Sequence, residues 1–210
     1  MASALLSQKL CLRLDRGEFM ITIKDNIIKL DFHEETLHCD IYADGTKWTW
    51  QQDYQPYFKY NGKDVLFSEA KNISHKRYDT GIGFGLVSHY ENFEQVPELC
   101  FETYIWIELS TGDVHFEWIP ITEPASGMDE VVWPGAMDFM YDSEDWYTLL
   151  NWGQGLLIPN GWETTLGKVP FDGRMCTEGS YMPWFSQIKD RNGYIATVSY
   201  THLRAHETSA

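Results

Sequence analysis

Apolar and polar residues alternate most regularly over residues 99–109, where every second residue is apolar or threonine. A two-residue period predicts a β-strand with one face in the core and the other partly exposed. A Ser-Thr-Gly-Asp turn follows at residues 110–113, and a second alternating run covers residues 114–118. We therefore predict a long β-hairpin whose second strand ends at Pro120.

Shorter runs of the same character, bounded by glycine and proline, predict further strands. They cover residues 21–32, 40–50, 146–150, 155–158 and 193–198. Within the second run an Ala-Asp-Gly-Thr segment lies between aromatic residues and predicts a hairpin turn. No helical period of ten or more residues competes with these runs. The sequence thus predicts an all-β protein.

Closely spaced glycines characterise residues 80–90, which read TGIGFGLVSHY. Glycine inside a strand marks a bulge or a close approach by a neighbour, so this segment predicts a bulged or tightly packed strand. It is not a phosphate-binding loop, because the lysine of such loops is missing and no helical pattern follows.

The regular recurrence of strands and turns predicts one antiparallel β-sandwich over residues 20–198, preceded by an N-terminal extension at residues 1–19. We see no sign of a second domain. The chain has 210 residues, enough for the core of one sandwich but too few for a sandwich plus a (β/α)8 barrel.

An excess of acidic residues narrows the range of partners. The sequence has 31 Asp and Glu against 16 Lys and Arg, a net charge of -15, which repels nucleic acids and acidic membranes. Charged residues interrupt residues 1–19, so they lack the apolar run of a signal peptide. No run reaches the roughly 18 apolar residues of a membrane helix. We expect neither a nucleic-acid nor a membrane partner, and a cytoplasmic location by default.

The four cysteines are Cys11, Cys39, Cys100 and Cys176. They form no Cys-x-x-Cys pair, and their spacing from the seven histidines matches no zinc motif. We expect separate, reduced thiols and no cofactor.

The C-terminal residues 198–210, VSYTHLRAHETSA, resemble a translated sequencing adapter of the kind found at the ends of metagenomic reading frames. We therefore treat residues 199–210 as a non-native tail. The alternative would use His202 and His206, four residues apart, as metal ligands on a helix. Without the tail the net charge is unchanged, because one Arg and one Glu are removed.

Two segments carry a family resemblance. Residues 141–160 read YDSEDWYTLLNWGQGLLIPN and residues 170–198 read PFDGRMCTEGSYMPWFSQIKDRNGYIATV. They resemble the galactose mutarotase-like β-sandwich (supersandwich) that precedes the catalytic barrel in glycoside hydrolase families 101 and 129. The resemblance implies a truncated accessory domain that is not catalytic alone and supports a missing C-terminal barrel.

Acidic residues supply two kinds of candidate site. Asp142, Glu144 and Asp145 could gather around calcium, but the sequence lacks a full ligand loop, and a solvated turn between strands explains them better. We assign no metal. Glu163 and Glu178 are candidate glycosidase carboxyls, although sequence cannot place the required pair, and we assign no catalytic residue.

Arg174, Trp184 and Gln187 are the candidate carbohydrate-binding residues. Arginine can bridge sugar hydroxyls, and tryptophan can stack on a pyranose face. The structural alternative is that Trp184 and Met182 anchor the domain against the barrel, since large aromatic residues mostly pack.

Two other functions remain open. A free-standing carbohydrate-binding module requires an exposed aromatic platform, so burial of Trp106, Trp118 and Trp133 would count against it. A mutarotase-like epimerase requires a histidine and a glutamate that converge in a concave face. The candidate histidines for that chemistry are His75, His89 and His115.

Overall fold

The computed structural model describes residues 13–16 (backbone only), 19–135, 137–138, 146–159 and 184–197. Apart from one short 3-10 helix, Phe67–Glu69, the regular elements in these ranges are β-strands, and every strand pair is antiparallel. This confirms the all-β, antiparallel class. The chain divides into two compact units, Met1–Phe139 and Met140–Ala210.

The first unit begins with a five-stranded meander in chain order. Its strands are β1 (Arg13–Arg16), β2 (Met20–Lys24), β3 (Ile28–His33), β4 (Cys39–Ala43) and β5 (Thr46–Trp48). Asp44 and Gly45, between β4 and β5, have φ of 47° and 77°. Positive φ at both central residues is the geometry of the tightest hairpins. The hairpin predicted over residues 40–50 is confirmed.

Seven further strands lie in the described part of the first unit. They are β6 (Tyr57–Tyr60), β7 (Lys63–Leu66), β8 (Asn72–Asp79), β9 (Gly83–Glu91), β10 (Cys100–Glu108), β11 (Val114–Thr122) and β12 (Glu130–Val132). They form a four-stranded sheet in the order β11-β10-β9-β8 and a three-stranded sheet in the order β12-β6-β7.

The predicted hairpin over residues 99–118 is confirmed by the pairing of β10 with β11, in which Thr103 lies opposite Trp118. The expected end at Pro120 is wrong, because β11 continues to Thr122. Proline lacks the backbone N–H that a central strand uses to pair with its neighbours. Strand β11 lies at the edge of the sheet, where one side has no partner strand, so proline is tolerated there. The register also shifts between Cys100 and Phe101, opposite this position, which is typical of a β-bulge.

The glycines of residues 80–90 make room for a tryptophan, which bears out the prediction of a tightly packed strand. A β-carbon on Gly83 would lie 2.4 Å from Cε3 of Trp106. One on Gly85 would lie 2.0 Å from the carbonyl oxygen of Ile105 and 2.5 Å from Cα of Trp106. Both contacts are far shorter than real β-carbon contacts, so β9 and β10 could not approach this closely with larger residues.

Aromatic side chains dominate the core of the first unit. Phe101 is fully buried, and its ring centroid lies 4.7 Å from that of Phe67, 4.9 Å from Tyr90 and 5.7 Å from Phe93. The predicted core face of β10 is confirmed by the burial of Phe101, Thr103, Ile105 and Ile107.

The second unit contains a four-stranded sheet in the order β14-β13-β15-β16. Its strands are β13 (Trp146–Leu150), β14 (Leu156–Pro159), β15 (Trp184–Lys189) and β16 (Asn192–Thr197). The strands predicted at residues 146–150, 155–158 and 193–198 are confirmed to within a residue or two. Strand β15 was not predicted.

Within the ranges given above, no helix has both the length and the apolar character needed to cross a membrane.

Candidate functional site on the four-stranded sheet

Four titratable side chains meet where β9 ends and β10 begins. His89 and Glu91 lie two residues apart on β9, and the antiparallel register places Glu91 opposite Cys100 and His89 opposite Glu102. Residues that lie opposite each other, or two apart on one strand, share a face of the sheet. These four residues, here called the His89 cluster, therefore lie together, on the face opposite the buried Phe101 and Thr103.

The histidine of the cluster is held by a carboxylate. Nδ1 of His89 lies 3.3 Å from Oε1 of Glu102, and the Tyr104 hydroxyl donates a hydrogen bond to the other oxygen of that carboxylate. A carboxylate beside Nδ1 favours the tautomer in which Nδ1 carries the proton. Nε2 points to the opposite side of the ring.

A thiol and a second carboxylate lie beside Nε2 of His89. Nε2 of His89 is 3.5 Å from Sγ of Cys100 and 3.5 Å from Oε2 of Glu91. The Asn72 amide donates a 2.9 Å hydrogen bond to Oε1 of Glu91 and so orients this carboxylate. Ligand atoms of His89, Glu91 and Cys100 all lie within 4.8 Å of one another, and the described part of the chain holds no other such group of three.

Two carboxylates shape the electrostatics of the cluster. Burial, together with the carboxylates of Glu91 and Glu102, raises the pKa of the Cys100 thiol. The pKa of Glu91 is lowered by the Asn72 hydrogen bond and by His89. A thiol whose pKa is raised is a poor nucleophile at neutral pH.

The three candidate histidines do not converge. His115 stacks on Trp106, with ring centroids 4.0 Å apart, and lies opposite it on the neighbouring strand. Trp106 follows Glu102 by four residues, so His115 lies about 13 Å along the strand from Glu102. His75 faces the core side, where Nδ1 lies 2.8 Å from the Ser88 hydroxyl. His89 contacts its glutamate directly, which leaves no space for a sugar between acid and base. This geometry does not favour an epimerase.

The carbohydrate candidates are only partly within the described residues. Trp184 and Gln187 both lie on β15, but side chains three residues apart on a strand point to opposite faces. Gln187 accepts a hydrogen bond from the Tyr194 hydroxyl. Outside the described residues lie the remaining candidates, Arg174, Glu163, Glu178, Asp142, Glu144, Asp145, His202 and His206.

Three tryptophans of the first unit do not form an exposed platform. Trp106 is buried, and its Nε1 donates a 2.7 Å hydrogen bond to Glu117. Trp118 and Trp133 are partly buried and pack against the core. Their burial counts against a sugar-stacking platform at these positions.

Sequence reasoning missed the His89 cluster. Cys100 follows His89 by eleven residues, a separation that matches no metal motif, and only the pairing of β9 with β10 brings the two together. The available signal was the His-x-Glu pattern at residues 89–91 and the Cys-x-Glu pattern at residues 100–102, each of which places two polar side chains on one face of a strand.

Comparison with known proteins shows what the chain is similar to. No family model matches the sequence, and no curated protein matches it. Solved structures of the α-N-acetylgalactosaminidase NagBb from Bifidobacterium bifidum do match. Its complex with Gal-NHAc-DNJ gives a TM-score of 0.77 at 37% identity over 85% of this chain. The ligand-free form gives 0.73 at 35% identity, also over 85% of this chain.

The match covers 29% of the NagBb chain in the first of these structures and 28% in the second. The present chain thus spans less than a third of the length of the enzyme that it resembles. Since that enzyme is a glycoside hydrolase, the chain is related in sequence and in all-β fold to part of a glycoside hydrolase.

Proposed function

We propose that this chain is the accessory β domain of a glycoside hydrolase, and that it supports a (β/α)8 catalytic barrel located elsewhere in the same polypeptide. The observation that carries the proposal is the 37% identity and TM-score of 0.77 to a 29% portion of an α-N-acetylgalactosaminidase. By analogy with that enzyme, the substrates of the whole protein would be α-linked N-acetylgalactosaminides. The domain alone would not be catalytic.

The finer fold assignment belongs to the same proposal. A galactose mutarotase-like sandwich, as in families 101 and 129, requires sheets that pack face to face. Two ring contacts support such packing in the first unit. Phe32 of β3 contacts His75 of β8 at 5.3 Å, and Trp50 contacts Phe116 of β11 at 5.9 Å. We propose a domain that covers residues 20–198, with residues 199–210 as a tail of foreign origin.

Exposed apolar residues support a role in docking. In the second unit Leu157 is 52% exposed and Ile195 69%, and the strand register places both on one face of the sheet, whereas Phe185, 40% exposed, lies on the other face. Large apolar patches are rare on surfaces that face only water, and cut domain interfaces leave them behind. We propose that this sheet contacts the barrel, and that Trp184, which lies on the same face as Ile195, belongs to the contact.

Direct contact with carbohydrate is the second part of the proposal. Trp184 is half-buried, and tryptophan can stack on a sugar face, while arginine at position 174 would add hydrogen-bond donors. Because Trp184 and Gln187 lie on opposite faces of the sheet, they cannot contact the same sugar, and we propose Trp184 as the sugar contact at the edge of the barrel interface.

A hydrolysis assay tests the non-catalytic role. The purified chain should release no product above background from aryl α-N-acetylgalactosaminide, aryl galactoside or aryl glucoside, because glycoside hydrolysis requires two positioned carboxyls in a shaped subsite. The assay is repeated with Glu163→Gln and Glu178→Gln. Turnover by the chain that either variant abolishes would make the chain an enzyme in its own right.

The genomic sequence around this segment tests the accessory role directly. We expect one reading frame that continues into a (β/α)8 barrel with two acidic residues at strand ends. Expressed together with that barrel, the chain should bind it, and Ile195→Asp should weaken the binding. The matched control Ile82→Asp alters an exposed isoleucine of the first unit and should leave binding unchanged. A frame without a barrel would contradict the proposal.

A further inference from the structure

We propose that His89, Glu91 and Cys100 form a binding site for a divalent transition-metal ion, with Zn²⁺ as the best fit. This site is independent of the accessory role and of any sugar-binding residue. It bridges the end of β9 and the start of β10 on the face of the sheet that points away from the core.

Two of the three distances between ligand atoms fit tetrahedral coordination. Zinc bonds of about 2.3 Å to sulfur, 2.0 to 2.1 Å to imidazole nitrogen and 2.0 to 2.2 Å to carboxylate oxygen place neighbouring ligand atoms roughly 3.3 to 3.6 Å apart in a tetrahedron. Nε2 of His89 lies 3.5 Å from Sγ of Cys100 and 3.5 Å from Oε2 of Glu91. The Glu91 carboxylate oxygen and Sγ of Cys100 lie within 4.8 Å of each other and would move to the tetrahedral spacing when the ion binds.

The types of ligand identify the class of metal. A thiol, an imidazole and a carboxylate together suit a borderline ion such as Zn²⁺, whereas Ca²⁺ and Mg²⁺ take oxygen ligands almost exclusively. Three protein ligands leave the fourth position for water or for a group from another molecule.

The groups around the ligands also match a metal site. Glu102 lies 3.3 Å from Nδ1 of His89, and a carboxylate on the outer nitrogen is the usual partner of a metal-bound histidine. Asn72 holds Glu91 by a 2.9 Å hydrogen bond to the oxygen that faces away from His89. Both partners come from strands of the same sheet, so the ligands are oriented before the ion binds.

A Cys-His-Glu nucleophilic site is the competing explanation for the same residues. It requires donors for an oxyanion next to the sulfur. Here the backbone of β9 and β10 is paired in the strand ladder, and Glu91, an acceptor, lies where those donors would be needed. The geometry therefore favours the metal.

Metal binding to the full chain tests the proposal. After treatment with a chelator, titration calorimetry should show about one equivalent of Zn²⁺ bound at neutral pH. Cys100→Ser and Glu91→Gln should weaken binding by at least about tenfold, since each removes a ligand. Glu102→Gln should weaken it about 10- to 100-fold through the orientation of His89. The matched control His115→Gln changes a histidine on the same sheet face outside the cluster and should leave the affinity unchanged.

Spectroscopy with Co²⁺ identifies the ligand independently of affinity. The wild-type chain should show a sulfur-to-cobalt charge-transfer band in the near ultraviolet, and Cys100→Ser should lack it while retaining the wild-type circular dichroism spectrum. Three outcomes would overturn the proposal: no binding of Zn²⁺, binding unaffected by Cys100→Ser, or a charge-transfer band that survives in that variant. The last two would place the metal at other thiols or at His202 and His206.

Discussion

Gly83 lies so close to the indole of Trp106 that a β-carbon on the glycine would be 2.4 Å from ring atom Cε3. On β11 His115 stacks on the same indole at a centroid distance of 4.0 Å and an angle of 9°. The large ring is therefore held between its two neighbouring strands. This arrangement is possible only because β9 has glycine at positions 83 and 85, where any side chain would clash with Trp106.

Gly83→Ala tests this relationship. The added methyl group would also lie 2.6 Å from the Ile107 carbonyl, so the strands must separate, and we expect a loss of about 2 kcal/mol or more in the free energy of unfolding. The measurement is urea-induced unfolding. Ser74→Ala, at an exposed position of β8, is the control and should change stability by less than about 0.5 kcal/mol. An unchanged midpoint for Gly83→Ala would contradict the packing described.

Phe101 should be a major contributor to the stability of the first unit. Its ring is fully buried among aromatic residues of several strands, so Phe101→Ala should cost about 3 to 5 kcal/mol through lost burial and a residual cavity. Phe19→Ala removes the same side chain where it is 57% exposed and should cost less than about 1 kcal/mol. Thermal unfolding of the two variants gives the comparison. Similar losses for both would place the core elsewhere.

Asp40 should make the stability of the protein sensitive to acid. Burial raises its pKa, but hydrogen bonds from Lys47, His33 and Thr49 outweigh burial, and the net pKa is lowered. A carboxyl whose pKa is lower in the folded state stabilises fully above its unfolded pKa of about 3.9, and this contribution is lost as pH falls through the folded pKa. Asp40→Asn should therefore cost about 1.5 kcal/mol at pH 7 and progressively less below about pH 4.

The test for Asp40 is denaturant unfolding of wild type and variant at a series of pH values. Asp64→Asn, at an exposed aspartate of β7, is the control and should run parallel to wild type. A constant difference between wild type and Asp40→Asn from neutral pH to pH 3 would show that the carboxylate does not act through its ionisation.

Cys39 should not react with alkylating agents in the folded protein. The Cys39 side chain is fully buried, so an alkylating agent cannot reach the sulfur. Burial together with the carboxylates of Asp40 and Asp31 also raises the pKa of the thiol, so little reactive thiolate is present. Peptide mass spectrometry after iodoacetamide treatment should find Cys39 unmodified in buffer and modified in urea. Cys100 is half-buried and serves as the internal comparison, with faster labelling expected. Rapid native labelling of Cys39 would contradict its placement in the core.

Local patterns were enough to predict several strands. Some structural requirements are met by a few neighbouring residues alone, and these can be predicted from the sequence. Examples are the alternation at residues 99–109, the Asp44–Gly45 turn and the run at residues 146–150. Burial of alternate side chains and positive φ in a tight turn are such requirements. The corresponding strands and hairpins appear in the structure.

Some short strands were missed because their formation depends on residues far away in the sequence. Strands β6 and β7 are joined by Asn61 and Gly62, whose φ values are 51° and 72°, so a turn signal was present in the sequence. Strand β6 reads YFKY and β7 reads KDVL, and four residues each are too few to show a period. Strand β12 pairs with β6 from about 70 residues later in the chain, where Lys59 contacts Glu130 at 2.7 Å. Such long-range pairing depends on the assembled sheet.

The sequence by itself determined the all-β class, the main hairpin and the acidic character, because composition, two-residue periods and turn residues act locally. Only the tertiary structure decided which polar residues meet. His89 and Cys100 come together because the antiparallel register places Glu91 opposite Cys100, and a shift of one residue would turn these side chains to the other face. Register depends on the packing of the whole core, so the local patterns at residues 89–91 and 100–102 each place two polar side chains on one face of a strand but do not show that the two strands pair.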